Sequence, residues 1–419
     1  MLQSLWGHES FRPLQLDVIE SVVAGKDTLA LLPTGGGKSV CFQIPGILLG
    51  GVTLVISPLI SLMQDQVSAL MGRGIGAFSF TGYVSAAIFA HILKRISRSS
   101  CFFLYVAPER LHSRQIKTIL RTCSVRLLAV DEAHCISSWG HDFRPQYRTI
   151  SELRKELSGI PICAVTATAT PRTVRDIVKN LKMNNPEIVK GSFDRPNIRF
   201  SVDLKTDARR NVLNHLHKNS GAVVLYESTR EGVEVWTEKL RLAGISAVAY
   251  HAGMSDEARQ KSQTAWMRKK SRVIVATNAF GMGIDRPDVR LVLHVGIPGT
   301  MEAYYQEAGR AGRDGRPARA HLIVTADAIE SRRSIVEMQK GIGRYFARRR
   351  ARRLFAFVKR YADRDMCRRW AILGYFGQDS PPRCGNCDVC LATIDSQQID
   401  PELDYTSVKI APGHRDAIQ

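Results

Sequence analysis

Short apolar runs alternate with segments of helical pattern along most of the 419-residue chain. One series of runs falls at 28–32, 52–56, 101–106, 126–130 and 162–166. A second falls at 221–226, 246–250, 272–276, 289–294 and 320–324. Strands separated by helix-length segments predict parallel sheets joined by crossover helices, and two such series predict two α/β domains. The join is expected between 190 and 205, where GSFDRPNIRFSVDLK carries turn residues and no helical period.

Beyond about residue 331 the pattern changes. Leu354, Phe357, Val358 and Tyr361 keep an i, i+3, i+4, i+7 spacing, which predicts a helix. Residues 331–370 hold 14 Lys/Arg against only Glu337, Asp363 and Asp365, so that helix carries a basic face. The stretch 391–419 is polar and unpatterned and reads as a tail. The expected division is therefore 1–195 and 196–335 for the two α/β domains, 336–393 for a basic helical subdomain bearing cysteines, and 394–419 for the polar tail.

Composition narrows the function classes. At 44% hydrophobic and 23% charged, the chain is globular rather than disordered, collagenous or coiled-coil. A formal charge of +20 favours a polyanionic partner, nucleic acid first, over a merely solvated basic surface. No apolar run reaches the roughly 18 residues of a membrane span, and the first residues, MLQSLWGHESFRPLQ, lack the basic and apolar regions of an export signal. The nine cysteines are accordingly expected as reduced thiols or metal ligands, and the compartment as cytosol, nucleoid or nucleus.

Three segments carry chemistry. LLPTGGGKS (31–39) runs a strand into a glycine-rich turn ending in Lys38 and Ser39. Small residues at Thr34, Gly35 and Gly37 let backbone amides curl around phosphate oxygens. Lys38 then reaches the β- and γ-phosphates and Ser39 offers a hydroxyl to Mg²⁺. The strict pattern has glycine where this chain has Leu32. The apolar run 126–130 ends in Asp131-Glu132-Ala133-His134, which places two carboxylates at the edge of a parallel sheet where ligands bind. Asp131 suits Mg²⁺ and Glu132 suits orienting and deprotonating an attacking water, against the plainer reading of a helix cap and a solvated glutamate. The third segment is Cys367-x16-Cys384-x2-Cys387-x2-Cys390, whose four thiolates close a tetrahedral structural zinc site, an iron–sulfur cluster being the alternative.

PTGGGKS, DEAH and TATAT (166–170) together resemble the first motor domain of superfamily 2 helicases. CISSWGHDFRPQY directly after DEAH, AFGMGID (279–285) and the cysteine cluster resemble the RecQ family of DNA helicases over about residues 5–393. The resemblance implies two RecA-like α/β domains with ATP and Mg²⁺ in the cleft between them, then a small helical zinc-binding module. Arg12 and Gln15 of FRPLQ would read the adenine, and Gly283 and Asp285 would lie near the ribose and Mg²⁺.

In QEAGRAGR, Gln306 belongs to the catalytic set, and Arg310 and Arg313 would neutralise charge growing on the γ-phosphate. Arg313 is favoured as the finger, with swapped roles open. Trp139, Phe143 and Arg144, with His141 and Tyr147, interleave aromatics and a cation as stacking on a single strand requires, or else pack beneath a long loop. Ser57, Arg110, Thr229, Arg230 and Thr277 would hold strand phosphates. Glu227 departs from the family's small residue beside Thr229, and His251 fits the family as well as it fits a packed core.

The resemblance further implies 3′→5′ movement on single-stranded DNA and unwinding of duplex or branched DNA in repair and recombination, by a monomer. Only 29 residues follow Cys390, so the winged-helix domain of longer relatives is not expected. That leaves a DNA-stimulated ATPase or translocase as the alternative to a working helicase.

Overall fold

The structure is a computed structural model that describes residues 1–33, 35–137, 144–204, 207–281, 286–325, 327–330, 334, 352, 356, 358, 360–362 and 366–397, with side chains described as far as 392. The chain divides into two compact units, Met1–Phe193 and Asp194–Gln419.

The first unit is built on seven strands: β1 (Thr28–Leu31), β2 (Gly51–Ile56), β3 (Gly76–Phe80), β4 (Cys101–Val106), β5 (Val125–Val130), β6 (Ile162–Thr166) and β7 (Glu187–Lys190). They lie in the order β3-β4-β2-β5-β6-β1-β7, every pair parallel. Helices cover both faces, so the central strands are buried on both sides and read as unbroken apolar runs.

The second unit holds β8 (Ile198–Leu204), β9 (Ala222–Glu227), β10 (Ala247–Tyr250), β11 (Val273–Ala276), β12 (Val289–Val295) and β13 (Ala318–Val324), again all parallel, in the order β10-β11-β9-β12-β13-β8. Its core gathers β9, β11 and β12 against the Arg230–Leu242 helix, with Trp236 and Leu240 facing in.

Three strands were absent from the expected series, and all three lie at sheet edges. β3 and β7 flank the first sheet and β8 flanks the second. An edge strand is less completely covered, so it need not be apolar throughout: β7 buries only Val189, and β8 alternates Ile198 and Phe200 with exposed Arg199. The segment read as a plain join thus contains β8, paired along its whole length to β13 from Ile198↔Ala318 to Leu204↔Val324.

The cysteine module attaches to β8. Arg369 donates to the carbonyls of Arg195, Pro196 and Ile198. Asp388 accepts from Val202 N at 3.0 Å and pairs with the buried Arg368. Arg368 and Arg369 are therefore structural, the latter also pairing with Asp194 at 3.2 Å, rather than members of an exposed basic face. Most of the basic stretch lies outside the described residues. Within it, Val358 and Tyr361 are buried while Arg352 and Arg360 are exposed, as the apolar spacing predicts. The helix Asp388–Gln397 runs into the first residues of the expected tail. Asp388 opens that helix where an acidic side chain is favoured, and the Cys390 amide donates to Cys387 Sγ.

Candidate active site

All strands of a parallel sheet end on one edge, so the segments that follow β1, β2, β4, β5 and β6 converge there. These are the glycine-rich turn, Ser57, Arg110, Asp131-Glu132 and Thr166–Thr168. The sequence motifs of the first unit are scattered over more than 130 residues and share this edge.

The turn after β1 is held from outside by Gln15. Its carboxamide, 4% exposed, donates to the Gly36 and Gly37 carbonyls at 3.1 Å each and accepts from Arg12 N at 2.8 Å. The group expected at the adenine edge is thus occupied with the phosphate turn. Gly37 has φ +70°, a conformation that favours glycine, and a Cβ there would displace the Gln15 amide. Gly35 also has positive φ. Lys38 and Ser39 are half-buried at the start of the Val40–Leu49 helix. Thr34 lies outside the described residues.

Asp131 is the electrostatic centre. It is 5% exposed, accepting from Ser57 Oγ at 3.3 Å and from the Glu132 amide at 2.9 Å. Burial, then the neighbouring Glu132, push its carboxyl up to about 7, against the opposing pull of Lys38. A buried carboxylate with so little compensation from the protein is suited to a cation.

Glu132 occupies the left-handed region at φ 45°, a conformation that costs about 1–3 kcal/mol and clusters at functional sites. His134 Nδ1 meets Thr166 Oγ1 at 2.8 Å and Glu132 Oε2 at 3.3 Å, and Thr166 Oγ1 in turn bonds the Thr168 amide and carbonyl. The acidic strand end and the TATAT segment are thereby one hydrogen-bonded network.

Ser57 is buried and turned to Asp131. Tyr147 is fully buried and donates to the Asp131 carbonyl at 3.1 Å, which removes it from the set of aromatics free to stack on bases. Arg144 donates to the Pro58 carbonyl at 2.8 Å. Arg110 is half-buried. Trp139, His141 and Phe143 lie outside the described residues, as do Gly283 and Asp285.

In the second unit, Thr229 caps the Arg230–Leu242 helix, its Oγ1 accepting from Gly232 N at 3.0 Å, and Thr229 and Arg230 are exposed. The unusual Glu227 has a local role: its carboxylate accepts from the Ser228 and Thr229 amides and fixes that turn. Burial pushes its carboxyl above the ordinary glutamate range. Thr277 is buried, with its hydroxyl towards the Ala279 amide, and His251 bonds Glu234 at 2.7 Å.

Gln306 is half-buried on the Met301–Ala308 helix and Arg313 is half-buried beyond it. Arg310 is buried, and its Nε and Nη1 have no hydrogen-bond partner among the described residues. A neighbouring buried group escaped the sequence reading: His294 bonds Glu307 at 2.9 Å and stacks on Tyr226 at 5.1 Å.

The four cysteines form a closed set, their sulfurs within 4.8 Å of one another and none in a disulfide. Cys367 and Cys387 stand 3.9 Å apart. Zn–S bonds of about 2.3 Å in a tetrahedron put sulfurs about 3.8 Å apart, so the arrangement fits one zinc. Hydrogen bonds shared among the thiols pull Cys384 down to about 3 and push Cys367 up.

This combination defines a class. The family model described as DEAD/DEAH box helicase matches residues 12–177, and that of the helicase conserved C-terminal domain matches 205–315. S. cerevisiae Dbp5, in a structure bound to RNA and ADP BeF3, shares the fold with a TM-score of 0.63 at 16% identity, covering 94% of this chain and 95% of that one.

A third family model, RecQ zinc-binding, matches 326–391. The ATP-dependent DNA helicase RecQ of Bacillus subtilis is 39% identical over 96% of this chain and 68% of its own length. That of Pasteurella multocida is 39% identical over 95% and 64% respectively, so the chain spans just under two thirds of the latter. The chain belongs to the RecQ family.

Proposed function

We propose that the chain is an ATP-dependent DNA helicase that hydrolyses ATP to move 3′→5′ along single-stranded DNA and separate duplexes. The observation that carries this reading is the buried, under-compensated Asp131 on the same sheet edge as the glycine-rich turn and the strained Glu132.

In this reading the amides of residues 34–37 and Lys38 bind the phosphates, and Ser39 and Asp131 hold Mg²⁺. The ion would supply charge to the β- and γ-phosphate oxygens. Glu132 takes the proton of the attacking water, and His134 passes its position to Thr166. Gln306, Arg310 and Arg313 answer the γ-phosphate charge, an assignment supported by the two unpartnered nitrogens of Arg310. Arg12, Gln15, Gly283 and Asp285 hold the base, ribose and metal. Gln15 must then leave the phosphate turn when nucleotide enters. Trp139, Phe143 and Arg144 meet the bases, and Ser57, Arg110, Thr229, Arg230 and Thr277 the phosphates.

The domain limits proposed are 1–195, 196–335 and 336–393, with one zinc in the last. Repair and recombination, a monomeric motor and a cytosolic, nucleoid or nuclear setting complete the proposal. Among the described residues no helix is long and apolar enough to cross a membrane.

The test measures ATP hydrolysis with and without single-stranded DNA, beside separation of a duplex carrying a 3′ tail. Stimulation with strand separation supports the proposal. Stimulation without separation replaces it with a DNA-dependent ATPase or translocase, and stimulation by RNA alone overturns the DNA assignment.

A further inference from the structure

A second group of metal-ligating side chains lies in the second unit, apart from both the cysteines and the nucleotide residues. Asp203 on β8, His215 on the Ala208–His217 helix and His321 on β13 each offer one ligand atom, and these atoms lie within 4.8 Å of one another. Asp203 Oδ2 is 3.0 Å from His321 Nε2 and 3.6 Å from His215 Nε2. Nitrogen and oxygen ligands about 2.0–2.2 Å from a tetrahedral ion stand about 3.3–3.5 Å apart, so the two spacings bracket what one ion requires.

The surroundings resemble those of a ligating imidazole. His321 is buried, and its second nitrogen, Nδ1, meets the Ser201 hydroxyl. An outer bond of that kind sets the ring's orientation and tautomer in metal sites.

The two imidazole rings are 3.8 Å apart, and His215 is partly exposed.

We propose that Asp203, His215 and His321 form a second metal site, taking a borderline divalent ion such as Zn²⁺ with water in the fourth position. The ion pins the Ala208–His217 helix to β8 and β13. Because β8 also receives Asp388 through Val202, it stiffens the strand that carries the cysteine module.

The test titrates Co²⁺ into the full chain carrying a single equivalent of zinc, which the four thiolates take first. One Co²⁺ per chain is expected, with weak visible ligand-field bands and without the intense near-ultraviolet band of thiolate ligation. Added Zn²⁺ displaces it. His215→Ala, at a partly exposed helix position, keeps the far-ultraviolet circular dichroism and the cysteine-bound zinc but loses the Co²⁺ bands. Ser201→Ala weakens Co²⁺ binding about 10- to 100-fold, as loss of an outer-shell bond does. Unchanged uptake in His215→Ala and Asp203→Asn, a thiolate-type spectrum, or no uptake by the wild type at millimolar Co²⁺ would each overturn the proposal. None of these readouts depends on ATP hydrolysis, so the site stands or falls separately from the helicase reading.

Discussion

Asp27 and Asp131 stand at opposite ends of the same sheet, one just before β1 and one just after β5, and are buried alike at 4% and 5% exposure. Asp27 is saturated. Arg154 Nη2 reaches both its oxygens at 3.2 and 2.9 Å, and the amides of Ile162 and Asn184 donate at 2.9 and 2.7 Å. Asp131 has one hydroxyl and one amide, with a second carboxylate beside it. The same side chain at the same depth has its charge answered by the protein in one place and left largely unanswered in the other, which is where the proposed reading puts a ligand. Burial alone does not distinguish the two; the count and charge of the donors does.

Four measurements would break or sharpen that contrast. The largest effect is on turnover: Asp131→Asn should lower ATP hydrolysis by about 10²–10³-fold or more, the scale of losing one preorganised electrostatic group. The metal-free protein should be no less stable for the change, since a poorly compensated buried charge has been removed. A clear loss of stability would place Asp131 with Asp27. Next, Asp27→Ala should cost about 3–5 kcal/mol in denaturant unfolding by stranding Arg154. Below its unfolding transition it should still hydrolyse ATP.

The third measurement is pH dependence. The folded Asp131 titrates near 7, far above the ordinary value of 3.8, so between these values the folded state holds a proton that the unfolded state has released. Its contribution is fully present below about pH 4 and is lost as pH rises through 7. Comparing wild type with Asp131→Asn at pH 5 and 8, without metal, isolates this slope, and identical slopes would refute the shift. The smallest effect belongs to Tyr147→Phe, which removes one bond to the Asp131 carbonyl and should cost about 1 kcal/mol. A marked loss of DNA stimulation at unchanged stability would instead return Tyr147 to the strand-binding set.

What could be read from the sequence was what is local. The phosphate turn, the acidic strand end and the cysteine triplet are contiguous, and central strands advertise themselves as apolar runs because both faces are covered. Asp27 gave no signal, because its partners lie 127 to 157 residues away. The Asp203, His215 and His321 group is divided in the same way, with His321 118 residues from Asp203. β7 and β8 were hidden by their exposed positions. Glu227 was noticed as a departure, but its capping of two amides needs the turn geometry to be seen.

The attachment of the cysteine module to β8 has a colloidal consequence. β8 is an outer strand, paired to β13 on one side, and Val202 N and the Ile198 carbonyl are taken up by Asp388 and Arg369 of the module. These two side chains flank Cys367 and Cys387 in the sequence, so whatever orders the thiolates also holds a cover over the sheet's open flank. A row of unpaired amides and carbonyls is a template for another chain. Stripping the ion would therefore do more than loosen a small module: it would leave molecules able to join flank to flank, and the first visible sign would be turbidity that grows with protein concentration.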